Sequence, residues 1–150
     1  MGDEVVRARA NAFDVWDFPG TPWTTPKPLS ESRVAIVTTA GLRPDGSRNW
    51  VPGDQGFVVL PGDRRDLTLA HTSQNFDRTA VLEDLNVVYP VDRLAELADR
   101  GVIASVATEH LAFMGAQRDH TLTTLRLDTG PAAAKVLRDD GVDVVLLTPV

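Results

Sequence analysis

Histidine and aspartate stand six positions apart in the stretch HTSQNFD, from His71 to Asp77. A turn across those residues would bring the carboxylate to the imidazole, and a carboxylate that orients a histidine makes it a proton donor or acceptor near neutral pH. The same residues have a plainer reading, in which Asp77 caps the following helix and His71 bonds backbone. A second histidine sits in VATEHLAFMGAQ, where His110 lies just beyond a predicted strand, Phe113 and Met114 offer an apolar wall and Gly115 a turn. It can line a pocket or serve as a satisfied structural group. His71, Asp77 and His110 could together form a facial metal triad, but no regular ligand spacing supports one and no metal is expected. The third histidine, His120, lies in a polar stretch and is expected to be solvated.

Groups this far apart in sequence meet only if strands carry them to a common rim. RVAIVTTAG, residues 33–41, packs β-branched residues without polar alternation, which suits a strand covered on both faces, and Gly41 permits a tight exit. Phe57–Leu60 and Leu67–Ala70 read as short strands, preceded by a turn-rich loop over 42–56 that is a candidate lid or docking surface around Trp50. Asp92 can cap a helix ending at Arg100 with Gly101 as its stop, and Pro131 can open another ending at Asp140, closed by Gly141. Strands Val102–Ala107 and Val142–Leu147 follow these helices directly.

That alternation predicts a single α/β domain with a mostly parallel sheet flanked by helices. Arg33–Thr38, Val102–Ala107 and Val142–Leu147 should be its central strands. Residues 33–150 form the α/β core, and residues 1–32 an irregular, extended arm. The arm's DFPGTPWTTPKPLSES holds four of the ten prolines and would be pinned by Trp16, Phe18 and Trp23. Open parallel sheets bind ligands at the carboxyl ends of their strands. Thr38, Thr39, Gly41, Arg78, Met114 and Thr148 are therefore expected around a small substrate, on one cleft with His71, Asp77 and His110.

Composition narrows the function from another side. With 150 residues, 43% hydrophobic, the chain can build one real core. A net charge of −6 with scattered basic residues argues against a nucleic-acid surface. No apolar stretch approaches the roughly 20 residues of a membrane span, and the charged start is unlike a signal peptide, so the cytoplasm is the expected location. The lack of cysteine excludes disulfides, thiolate metal sites and cysteine nucleophiles within these residues. No phosphate-binding glycine motif and no G-x-S-x-G elbow occurs, so a nucleotide cofactor has no support.

Four segments in order, PLSESRVAIVTTAGL, HTSQNFDRTAVLEDLNVVYPVDRLAELADRGVIASVA, HLAFMGAQ and DGVDVVLLTPV, resemble the glycine/sarcosine/betaine reductase selenoprotein B and D-proline reductase family. The resemblance runs from about Pro28 to Val150, with Leu111-Ala112 standing where the family pattern shows Tyr-Ser. It implies reductive C–N cleavage of a small amine or amino acid by a selenocysteine or cysteine, with electrons from a thioredoxin-like dithiol donor. In the family pattern that nucleophile follows the LLTP strand almost at once, so it is expected after Val150 or from a partner chain, with no cofactor inside these residues. His71 would then protonate the leaving amine with Asp77 orienting it, and His110 would line the pocket or share that work. The resemblance allows three origins for the last residues: a selenocysteine codon read as stop, a short subunit completed by another chain, or a non-redox member that binds a small molecule or aids assembly. A homo-oligomer or a second subunit is expected to cover the apolar face of the last strand.

Overall fold

A computed structural model describes residues 3–12, 20, 24–119 and 121–150. The expected positions of Trp16, Phe18, Trp23 and His120 lie outside the described residues. The fold is α/β, with a five-stranded, mostly parallel sheet between two helical layers. Strand β1 (Arg33–Thr38) is its spine. β7 (Val144–Thr148) runs parallel along one side of β1, from Val34 opposite Val144 to Thr38 opposite Thr148. The other side of β1 is shared by β5 (Ser105–Val106), paired near Arg33, and β6 (Glu109–Phe113), paired at Val37 and Thr38. β3 (Phe57–Pro61) adds the antiparallel edge beyond β6. β2 (Leu42–Pro44) and β4 (Leu67–Leu69) form a separate antiparallel pair.

Alternation along β1 decides the two cores. Val34 and Ile36 face one layer with Val58, Leu60, Tyr89, Val91, Leu94 and Ala112. Ala35 and Val37 face the other, with Leu111, Ala133 and Leu137. The first layer is built on α3 (Val91–Asp99) with the short α2 (Thr79–Glu83) before it, and the second on α4 (Gly130–Asp139). Both longer helices stop as their glycines predict. Gly101 and Gly141 take φ of +68° and +69°, and in each case the next N–H returns to the carbonyl of Leu97 or Leu137.

Several expectations need correction. The arm is not extended throughout, since Asp3–Asn11 winds into α1. Asp92 does not cap α3: Pro90 precedes the helix, and the Asp92 carboxylate accepts instead from Arg65 and Asn86. The loop over 42–56 is no free lid, because Trp50 is buried in the first core under Arg48, whose guanidinium also pairs with Asp54. Pro131 does stand in the first turn of α4 as expected, but the helix is preceded directly by a π turn, Leu125–Thr129, instead of a loop. Val142–Leu147 is not central: β7 pairs only with β1 among the described residues, and Leu147 is 67% exposed. No helix among the described residues is long and apolar enough to cross a membrane.

The largest departure is the strand expected over Val102–Ala107. Only Ser105–Val106 pairs there, and after a two-residue break the chain resumes beside β1 as β6. Two side chains close the break. His110 Nδ1 accepts the N–H of Ile36 at 3.0 Å, standing in for a strand carbonyl. Asp140, next to the end of α4, accepts from the N–H groups of Thr108 and Glu109, from the Thr108 hydroxyl and from Arg33. Burial alone would push Asp140 up, but these donors outweigh it and hold the carboxyl at about 2. His110 is fully buried edge-on to the Tyr89 ring, and burial lowers it to about 4.

A histidine held neutral by the fold stabilises most above its unfolded value of 6.5, and that stability is lost as pH falls through about 4. The shift corresponds to about 3 kcal/mol. His110→Asn, whose Oδ1 can take the Ile36 N–H, should keep the fold and flatten stability between pH 6.5 and 4. His110→Leu strands that N–H and should cost about 1–3 kcal/mol. Denaturant unfolding at a series of pH values checks both, and an unchanged pH slope in the asparagine variant would contradict the assignment.

Candidate functional site

The carboxyl ends of β1, β6 and β7 meet at one rim, as the parallel order requires. Beyond the strands the chains remain tied. Gly115 N–H donates to Thr39 O at 2.8 Å, Thr39 N–H to Thr148 O at 3.3 Å, and the Thr39 hydroxyl exchanges hydrogen bonds with the backbone of Val150. His71 reaches this rim from the loop after β4. It is 5% exposed, its ring lies 4.5 Å from Phe76, and Arg78 clamps its loop by donating to the carbonyls of His71, Ser73 and Phe76.

The tautomer of His71 follows from its neighbours. Nδ1 accepts the N–H of Ser73 at 3.2 Å, so the proton of the neutral ring is on Nε2, which is buried without a partner among the described residues. Burial, and secondarily the Arg78 charge, lower its basicity, so the ring is neutral at pH 7. Nε2 points at the bare Cα of Gly115. A methyl there would sit 2.8 Å from His71 Nε2, 2.8 Å from Val150 O and 3.0 Å from Thr39 O. The absent side chain lets His71 Nε2, Val150 O and Thr39 O close in on Gly115 more tightly than a methyl group would allow. Beside it opens an apolar pocket of about 220 Å³ lined by Thr39, Phe113, Met114, Gln117 and Leu125.

The structure therefore gathers His71, Thr39 and Met114, and gives the other candidates different work. Asp77 accepts from the N–H of Thr79 at the start of α2, which lowers its carboxyl; with Nδ1 of His71 occupied as an acceptor, it does not orient that ring. His110 is not beyond a strand but inside β6, level with Ile36 and below the rim. Thr38 is fully buried, its hydroxyl accepting from Ala40 N–H and donating to Thr148 O, while Thr148 donates to Val88 O. Gly41, at φ +64°, makes room for the backbone of His71 and the methyl of Met114. Arg78 is spent on loop carbonyls. Leu111 and Ala112, at the family's Tyr-Ser positions, point into opposite cores and not to the rim. Gly115 is the feature that residue chemistry missed, because it acts through what it lacks. The signal was a glycine directly after an apolar strand.

Gly115→Ala tests this close approach. Two of the three atoms it would meet are backbone oxygens that cannot swing aside, so the variant should lose about 1–3 kcal/mol of stability and move the His71 ring resonances. Unchanged unfolding and unchanged His71 signals would show that His71 and the strand exits do not approach Gly115 this closely.

Comparison with known proteins points one way. Residues 59–150 match the profile of the glycine/sarcosine/betaine reductase selenoprotein B family. The D-proline reductase subunit gamma of Acetoanaerobium sticklandii is 35% identical over 134 residues, covering 87% of this chain and 54% of that protein. The sarcosine reductase complex component B subunit beta of Peptoclostridium acidaminophilum is 29% identical over 130 residues, 81% of this chain and 29% of its own length. The glycine reductase complex component B subunit gamma of Carboxydothermus hydrogenoformans is 28% identical over 128 residues, with the same shares. The chain thus spans about half or less of the curated relatives it matches. No solved structure matches it. With more than half of the chain, from within β3 to the end of β7, inside the matched span, the chain belongs to the glycine/sarcosine/betaine reductase selenoprotein B family.

Proposed function

We infer that this chain is a subunit of a cytoplasmic reductase complex that cleaves the C–N bond of a small amino acid. The observation that carries the reading is the His71 Nε2–H, buried with no partner among the described residues and packed against Gly115 beside an apolar pocket at the strand ends. The relatives are named for D-proline, sarcosine and glycine, which share an α-carboxylate and a nitrogen one carbon away. A selenolate or thiolate, from beyond Val150 or from a partner chain, would supply the attack on carbon, and a thioredoxin-like dithiol the electrons. A selenol ionises well below neutral pH, whereas a thiol near pKa ~8.5 is mostly protonated, so a selenolate needs less help from its surroundings.

The residues present fit such a soft anion. His71 offers one directed N–H from a neutral ring, and a hydrogen bond in a dry site stabilises charge more than it would in water. Ser73, by occupying Nδ1, opposes protonation there, so His71 serves better as a fixed donor than as a strong acid. The role first assigned to His71, protonating the leaving amine, therefore gives way to holding charge in place. A zwitterionic amino acid already carries its proton on nitrogen. Met114, Phe113 and Leu125 exclude water from the carbon side. The apolar outer side of β7 suits a second subunit or a second copy of the chain.

Purified with the chains that co-isolate with it and supplied with dithiol, the protein should release amine or ammonia, or open the ring of D-proline. His71→Asn should lower kcat by about 100-fold or more, the scale of losing a preorganised donor, while His110→Asn retains turnover. Full turnover by the His71 variant would overturn the reading.

A further inference from the structure

We propose that the polar cavity between the segment after β6 and the loop after His71 is a carboxylate-binding subsite and that Arg118 is its anion-binding group. The inference deepens the reductase reading and rests on it for the identity of the ligand. The segment after β6 divides its residues between two spaces: Gly115 and Gln117 face the apolar pocket, Ala116 and Arg118 a polar cavity of about 510 Å³. Ala116 makes the division possible by adopting φ of +50°, a conformation a non-glycine residue takes only when its surroundings hold it there. The cavity's opposite wall is Thr72, Ser73 and Asn75, the loop whose Ser73 N–H fixes His71. One loop thus sets both the imidazole donor and the cavity beside it.

Charge selects the ligand. In a chain of net charge −6, an anion needs a local cation to hold it. The other guanidiniums of this region are engaged, Arg78 with three carbonyls and Arg48 with Asp54 and the Trp50 ring. Arg118 makes no hydrogen bond or ion pair among the described residues. Its neighbour in sequence, Asp119, directs its carboxylate to Gln55 and Thr121. A planar guanidinium with its fork open matches a carboxylate in two parallel hydrogen bonds. With the carboxylate on Arg118, the rest of a small amino acid faces Thr72, Ser73 and Asn75, on the loop that follows His71. The volume, within the roughly 300–1,000 Å³ of small-molecule sites, leaves room for water around so small a ligand.

Isothermal titration with glycine, sarcosine and D-proline, against methylamine and pyrrolidine as carboxylate-free counterparts, tests the subsite. Wild-type protein should bind the acids saturably and in preference to the amines. Arg118→Gln should weaken the acids by about tenfold or more while leaving the amines unchanged, and Arg118→Lys should recover part of the loss. In the co-isolated complex, Arg118→Gln should raise KM with little change in kcat. Acids binding equally to wild type and Arg118→Gln, equal losses for acids and amines, or no preference for acids in the wild type would each overturn the subsite. The two claims fail separately: normal KM in Arg118→Gln with intact turnover rejects the subsite alone. Arg118-dependent binding with no turnover rejects the reductase reading alone.

Discussion

A single hydrogen bond between a backbone N–H and a side chain, Ile36 to His110, lets this sheet be interrupted without coming apart. β1 is fully buried at Ile36, and a buried N–H without a partner costs about 1–3 kcal/mol. The break between β5 and β6 removes the carbonyl that would have met it, and the imidazole replaces that carbonyl. Asp140 does the same for the two N–H groups on the far strand. With both substitutions made, β1 keeps neighbours on both sides along its length, so β6 and β7 end level with it and their exits can interlock.

The rim inherits its geometry from that arrangement. Thr39, Gly115 and Val150 are held by hydrogen bonds between the three strand exits, and the His71 loop is pressed onto them by Arg78 and by the close approach at Gly41. The two buried histidines share one electrostatic logic with different outcomes. Each accepts a backbone N–H on Nδ1, each is pushed toward the neutral form by burial, and each has an Nε2–H with no partner among the described residues. His110 turns that N–H toward the interior beside Gly62; His71 turns it toward Gly115 at the strand ends.

Periodicity and helix punctuation made the α/β class, β1, β3, α3 and α4 legible in the sequence, because the apolar run of β1 and the glycines at 101 and 141 report local physics directly. The strand break was not legible. EHLAF carries a glutamate and a histidine where a buried strand should be apolar, and only the tertiary pairing shows that this histidine is apolar in effect, neutral and spent on Ile36. β7 misled in the opposite sense. Its unbroken apolar run reads as a strand buried on both faces, yet among the described residues only one flank is paired, and the run marks a surface suited to another polypeptide. Of the site, His71, Thr39 and Met114 could be found from strand exits, whereas Asp77 holds the first N–H of α2, and the close approach at Gly115 depends on a missing side chain that no inventory of reactive groups contains.

The distinction between the two histidines is the central claim, and nitrogen-15 spectra of the imidazoles test it most directly. Both rings should show a proton on Nε2 and an accepting Nδ1 at neutral pH, and on titration with sarcosine or a small thiolate the His71 Nε2 signal alone should move. A His110 signal that responds to the added ligand while His71 stays fixed, or a His71 ring protonated on Nδ1, would contradict the account.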